Sequence, residues 1–172
     1  MPSEYDAVVY DLDGTLVDLA VDWDAVRREV RSLFEGTDAR ADGDLWELLD
    51  RAAATGLDGR VEETIAAHER EGARASTRLP AADELAALDV PAAVCSLNAE
   101  DAARIALGTH SLSGHVEAVV GRDTGPARKP DPDQLLAAIE PLDAAPERSL
   151  FVGDSESDRE AAERAGVPFR WA

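Results

Sequence analysis

From about residue 79 to the end, short apolar runs alternate with stretches of helical spacing, and this alternation is what most restricts the fold open to the chain. Runs at residues 91–96, 116–120, 149–152 and, more weakly, 167–170 have the length of buried strands. Between them lie helical stretches: 81–88 with Leu85 and Leu88, 100–107 with Ile105 and Leu107, 132–139 with Leu135, Leu136 and Ile139, and 156–165 with Ala161, Ala162 and Ala165. Gly166 stands where a glycine would end the last helix. A further apolar run, residues 6–10, opens the chain. Strands separated by helices pair in parallel, because each helix carries the chain back over a face of the sheet.

Residues 18–78 break the pattern and show no convincing strand. Trp23, Val26, Val30, Leu33 and Phe34 recur at helical spacing, as do Leu45, Leu48, Leu49 and Ala52, and then Val61, Ile65 and His68. Glycines in 36–43 and 56–59 separate these three helices. His68, on an apolar face, is expected at the core or its boundary. The expected fold class is α/β: a doubly wound (Rossmann-like) parallel sheet core, formed by 1–17 and 79–172, with a small all-helical module, 18–78, inserted after the first strand.

In an open parallel sheet, ligands bind beyond the carboxyl ends of the strands. After the first strand come Asp11-Leu12-Asp13-Gly14-Thr15. Side chains two apart in an extended segment point the same way, so Asp11 and Asp13 crowd together and call for a cation or a shared proton. Gly14 admits a tight turn. Ser96 and Asn98 follow the second core strand; Gly121, Arg122 and Asp123 follow the third, with Lys129-Pro130 beyond; Gly153-Asp154-Ser155-Glu156-Ser157-Asp158 follow the fourth. Such carboxylates suit Mg²⁺, which takes few protein oxygens and completes its shell with water and phosphate. A hydroxyl and a lysine suit phosphate oxygens. One carboxylate can attack phosphorus to form an aspartyl-phosphate, and a second can serve as acid and base.

Charge narrows the partners. The 172 residues carry 17 basic against 36 acidic groups, net −19, which repels nucleic acid and anionic membranes. The acids are spread along periodic segments, so adaptation to high salt (a halophilic protein) is preferred over a disordered acidic tail. Lys129 is the only lysine; all other basic residues are arginine. No apolar run has the length of a membrane span. The opening Met-Pro-Ser-Glu-Tyr-Asp lacks signal-peptide character, so a soluble, cytoplasmic protein is expected. The single cysteine, Cys95, offers no disulfide and is expected in a buried strand. No nucleotide-binding glycine pattern is present.

The motifs Asp11-Leu12-Asp13-Gly14-Thr15-Leu16, Ser96, Lys129-Pro130-Asp131-Pro132 and Gly153-Asp154-Ser155-Glu156-Ser157-Asp158, in this order, resemble those of the haloacid dehalogenase-like hydrolase superfamily, nearest its phosphoglycolate phosphatase-like subgroup. The resemblance covers about 5–17 and 79–172, and the helical module is similar to the cap many of these enzymes insert. It implies a Mg²⁺-dependent phosphatase acting on a small phosphorylated metabolite. Asp11 would be nucleophile and metal ligand. Asp13 would be acid/base and would offer its backbone carbonyl to the metal. Ser96 and Lys129 would bind the transferring phosphoryl group, Lys129 also neutralising charge at Asp11. Asp154 would ligate Mg²⁺, Asp158 would support the metal or its waters, and Gly14 and Thr15 would help hold the phosphate. One departure is Leu97, where the family commonly has Asn; Asn98 is shifted by one.

The same resemblance favours a phosphatase over a dehalogenase, since true dehalogenases lack the acid at the Asp13 position. A phosphomutase of the same superfamily, a receiver-type phospho-acceptor domain and a non-catalytic binding protein stand as alternatives. The physiological substrate and the oligomeric state are not legible in the residues.

Overall fold

The computed structural model describes residues 4–172. The first three residues of the expected 1–17 core segment, half of the stretch read for signal-peptide character, lie outside the described residues. Five parallel strands form the main sheet: β1 (Ala7–Tyr10), β4 (Ala92–Cys95), β5 (Ala118–Val120), β6 (Ser149–Gly153) and β7 (Phe169–Trp171), in the order β5-β4-β1-β6-β7. Val9 pairs with Ala93 on one side and Phe151 on the other. From β1 the chain builds outward to β4 and β5, then crosses over β1 to add β6 and β7. The switch point therefore falls at the carboxyl end of β1, where Asp11 stands.

The pleat divides the core into two layers. Val8 and Tyr10 of β1 join Ala82 and Leu85 of α4 (Pro80–Ala86) and Ala103, Ala106 and Leu107 of α5 (Glu100–Thr109). Ala7 and Val9 join Leu135, Ala138 and Ile139 of α6 (Asp133–Ile139) and Ala162 of α7 (Glu156–Ala165) on the opposite face. With helices on both faces the central strands have no solvent side, which is why β1 and β4 are apolar throughout. Cys95, as expected, is wholly buried, and burial pushes its thiol up to about 12.

Between β1 and α4 lie α1 (Trp23–Leu33), α2 (Leu45–Thr55) and α3 (Asp58–Arg74). Asp22 caps α1 by accepting from Ala25 N, and Asp44 forms a capping box with Glu47 at the start of α2. Gly56 ends α2 in the left-handed region at φ 71°. Val26, Val30, Phe34, Leu45, Leu48, Ala52, Val61 and Ile65 form a separate apolar cluster. His68 sits at its rim, Nε2 2.6 Å from Glu29 Oε2 of α1.

One expectation is corrected. Residues 18–78 do contribute to strands, because β2 (Val17–Asp18) pairs antiparallel with β3 (Thr77–Arg78). Two residues each are too few for a period of two to register in a sequence. The pair closes the two connections at the base of the helical module, and Leu79 N donates to Leu16 O at 3.0 Å beside it. No helix of the described residues is long and apolar enough to cross a membrane.

Candidate active site

The ladder between β1 and β6 continues one residue past β1: Asp11 N donates to Val152 O at 2.9 Å. This holds Asp11 in line with the strand. The chain then folds back, with the Thr15, Leu16 and Val17 amides all converging on Leu12 O. Gly14, at φ 84°, permits this turn, and a Cβ there would also overlap the Asp154 carboxylate. Glycine is what lets the first and last motifs approach so closely.

A cavity of about 220 Å³ opens at this edge, lined by Asp11, Asp13, Lys129, Asp154, Ser155 and Asp158 from the core edge, Leu97 and Asn98 from the turn after β4, and Trp23 and Trp46 from α1 and α2. The structure thus brings Asp11, Asp13, Lys129, Asp154 and Asp158 together. Gly14, Thr15 and Ser96 are not among its walls. Ser96 is fully buried and donates from Oγ to Asn98 Oδ1 at 2.9 Å, while the Thr15 hydroxyl is buried with no partner among the described residues.

Lys129 is buried and spends all three ammonium protons inside the protein: on Asp11 Oδ1 at 3.0 Å, Cys95 O at 3.0 Å and Asp158 Oδ1 at 2.5 Å. Burial works against its charge, but Asp11 and Asp158 outweigh that, so Lys129 is held protonated beyond the ordinary lysine range. Burial likewise pushes Asp11 upward, opposed by the Lys129 ammonium. Asp13 is raised, chiefly by burial, against a hydrogen bond that Leu19 N donates to its Oδ1 at 2.9 Å. A carboxyl shifted in this direction holds its proton more readily than a free one, which suits an acid in proton transfer.

Asp158 has a second task. Its Oδ2 accepts from Asp154 N at 3.1 Å and Ser155 N at 3.2 Å, while Ser155 Oγ accepts from Asp158 N. This reciprocal capping box starts α7 and fixes the loop that carries Asp154.

The donor set fits a hard cation. Carboxylate oxygens of Asp11, Asp154 and Asp158 lie within 4.8 Å of one another. Four carboxylates, counting Asp13, face one ammonium, and the resulting excess of negative charge favours a divalent ion with oxygen ligands.

Gln134, Glu69 and Trp46 escaped the sequence reading. Gln134 is buried on α6, donates to Ser96 O at 2.7 Å and accepts from Lys129 N at 3.3 Å, tying two motifs together. Glu69 and Arg122 form a buried ion pair at 2.7 Å beside the turn after β4. Trp46 lies off the apolar stripe of α2 with the Arg122 and Arg128 guanidiniums 5.8 and 5.5 Å from its ring centre. A polar residue standing on its helix's apolar stripe was the available signal for Glu69 and Gln134, and an aromatic one standing off it for Trp46.

An open parallel α/β sheet with clustered acids and a buried lysine at its switch point defines a ligand-binding α/β protein whose site suits an anionic substrate and a cation. Residues 5–166 match the family model for haloacid dehalogenase-like hydrolases, and the chain belongs to that family. It is 29% identical over 172 residues to phosphoglycolate phosphatase from Aquifex aeolicus, covering 93% of this chain and 81% of that protein. It is 32% identical to phosphoglycolate phosphatase from Rhodospirillum rubrum, covering 94% and 77%. Among solved structures, a HAD-superfamily hydrolase, subfamily IA, variant 1, from Geobacter sulfurreducens superposes with a TM-score of 0.67 at 27% identity, covering 96% of this chain and 88% of that one. These relatives place the chain among the phosphatases of its family.

Proposed function

We propose that the protein is a Mg²⁺-dependent phosphatase that hydrolyses a small phosphate monoester through a phosphoaspartate on Asp11. The observation that carries the reading is the Lys129–Asp11 contact of 3.0 Å within a cluster that also holds Asp154. Asp11, Asp154 and the backbone carbonyl of Asp13 would hold the metal, which when bound supplies positive charge to the phosphoryl oxygens. Asp158, already bonded to Lys129 and to the start of α7, supports the site from behind.

A carboxylate oxygen of Asp11 attacks phosphorus as the bond to the ester oxygen breaks. Asp13 gives its proton to that oxygen, and an alcohol leaves. Asp13, now a carboxylate, takes a proton from water. The resulting hydroxide displaces Asp11 from phosphorus, releasing phosphate and restoring both acids. Lys129 offsets the negative charge shared between Asp11 and the phosphoryl group, and because it stays protonated it does so throughout. The turn of residues 96–98 contacts the phosphoryl group through Leu97 and Asn98, which Ser96 braces from within, and Gly14 and Thr15 shape the opposite loop.

Residues 18–78 act as the cap, presenting Trp23 and Trp46 over the site. Phosphoglycolate is the first substrate to test, since it is the compound named for the curated relatives. The decisive experiment incubates the chain with Mg²⁺ and 4-nitrophenyl phosphate, then phosphoglycolate, and traps the reaction in acid. An acid-stable, alkali-labile phosphoprotein that vanishes in Asp11→Asn is expected. Equal turnover by wild type and Asp11→Asn refutes the mechanism.

A further inference from the structure

Three consecutive residues of the turn between β4 and α5 are gripped by one ion pair. Arg122 Nη1 donates to Leu97 O at 2.8 Å. Glu69 Oε2 accepts from Asn98 Nδ2 at 2.6 Å and from Ala99 N at 3.3 Å. Arg122 and Glu69 are joined at 2.7 Å. Asn98 passes the restraint on, since its Oδ1 accepts from Ser96 Oγ and its N donates to that same oxygen at 3.0 Å. Glu69 is fully buried, and it comes from the C-terminal half of α3, the last helix of the inserted segment. Small residues bring it there: Ala66 of α3 packs on Ala99 and Ala102 at the start of α5.

A buried ion pair is weak as a source of stability, because desolvating both charges offsets most of their attraction. Its bonds here converge on the one turn that supplies Leu97 and Asn98 to the cavity wall. Glu62 provides an internal comparison. It also binds Arg122, at 3.0 and 2.5 Å, and also sits on α3, but it reaches no atom of the 96–99 turn.

We propose that Glu69 is a positioning residue for phosphate: through Asn98 it sets the Ser96–Asn98 turn in its ligand-binding shape, so that the phosphate site is completed by the helical module. This rests on the reading of the 96–98 turn as a phosphoryl contact. It also assigns Asn98 the orienting role that the displaced asparagine left open.

The test is calorimetric titration of inorganic phosphate, with Mg²⁺, into the full chain and its variants, below the unfolding temperature of each. Glu69→Gln weakens phosphate binding by about tenfold or more, the scale of a buried hydrogen bond misplaced, and Glu62→Gln stays within about twofold of wild type. Asn98→Ser weakens binding as Glu69→Gln does, and adding Glu69→Gln to it changes little. A folded Glu69→Gln with wild-type affinity overturns the proposal, as does a Glu62→Gln that loses as much. Should Glu69→Gln not fold, Asn98→Ser decides, and unchanged affinity there overturns it. A wild-type chain that neither binds phosphate nor hydrolyses a phosphate ester removes the functional reading along with it; one that does both, beside an unaffected Glu69→Gln, removes this proposal alone.

Discussion

Lys129 Nζ lies 3.0 Å from Asp11 Oδ1 although the two residues are 118 positions apart, and both side chains are buried. Their contact, shared with Asp158, ties the first strand of the sheet to the loop after β5 and to the start of α7. Removing its centre leaves two buried carboxylates without a counter-charge. Lys129→Met should therefore destabilise the apoprotein by about 3–5 kcal/mol and also abolish turnover. Denaturant unfolding in the absence of metal measures the first part; a loss below 1 kcal/mol, as for an exposed pair, contradicts it.

Asp13 is expected to act on the leaving group. Its effect should then scale with how badly that group needs a proton. Asp13→Asn keeps a side-chain oxygen for Leu19 N but has no proton to transfer. We expect kcat/KM, which reports the steps up to departure of the alcohol and not the later hydrolysis shared by both esters, to fall by about 10²–10⁴ on an alkyl phosphate and much less on 4-nitrophenyl phosphate, whose phenolate leaves unaided. Equal losses on both esters would contradict acid catalysis by Asp13.

Metal dependence should run through Gly14 as well as through the acids. A chelator should abolish activity, and Mg²⁺ should restore it. In Gly14→Ala the methyl group displaces the Asp154 carboxylate and strains a backbone at φ 84°. The Mg²⁺ concentration for half-maximal activity should rise about tenfold or more, as when a ligand's support is lost. An unchanged metal titration would show that Asp154 does not hold the ion.

Two glycines separate crowding from chain entropy. At Gly121 a Cβ would strike the backbone of Glu100 and of Asn98, neither of which can yield without moving α5. At Gly59 on α3 it would meet open space. Gly121→Ala should cost about 1–3 kcal/mol, whereas Gly59→Ala should gain about 0.5–1 kcal/mol from helix propensity. Chemical denaturation of both variants tests the pair; destabilisation by Gly59→Ala would contradict the open space found there.

Self-repulsion predicts a salt response. With a net charge of −19, screening should raise the thermal midpoint in molar KCl relative to dilute buffer. A midpoint indifferent to KCl would remove the reading of the acidity as salt adaptation.

The amino-acid sequence by itself determined the elements of the sheet and the residues at its edge. Strands such as Ala92–Cys95 are apolar because both their faces are covered, and helices such as Glu156–Ala165 carry their own start and stop at Ser155 and Gly166. These are local facts of periodicity and turn chemistry, and so they can be read locally. Asp11, Asp13, Lys129 and Asp154 were legible because the carboxyl ends of parallel strands must share one edge. What only the tertiary structure decided is which buried charges meet. Asp158 turns inward to Lys129 and caps α7, Ser96 gives its hydroxyl to Asn98, and Glu69 reaches across to Arg122 and the turn after β4. The two-residue pairing of β2 with β3 belongs here too. The physical reason is common to all of them: a charge or hydroxyl taken out of water must find a partner, and that partner is chosen by how the helices seat on the sheet, over separations at which spacing along the chain carries no information.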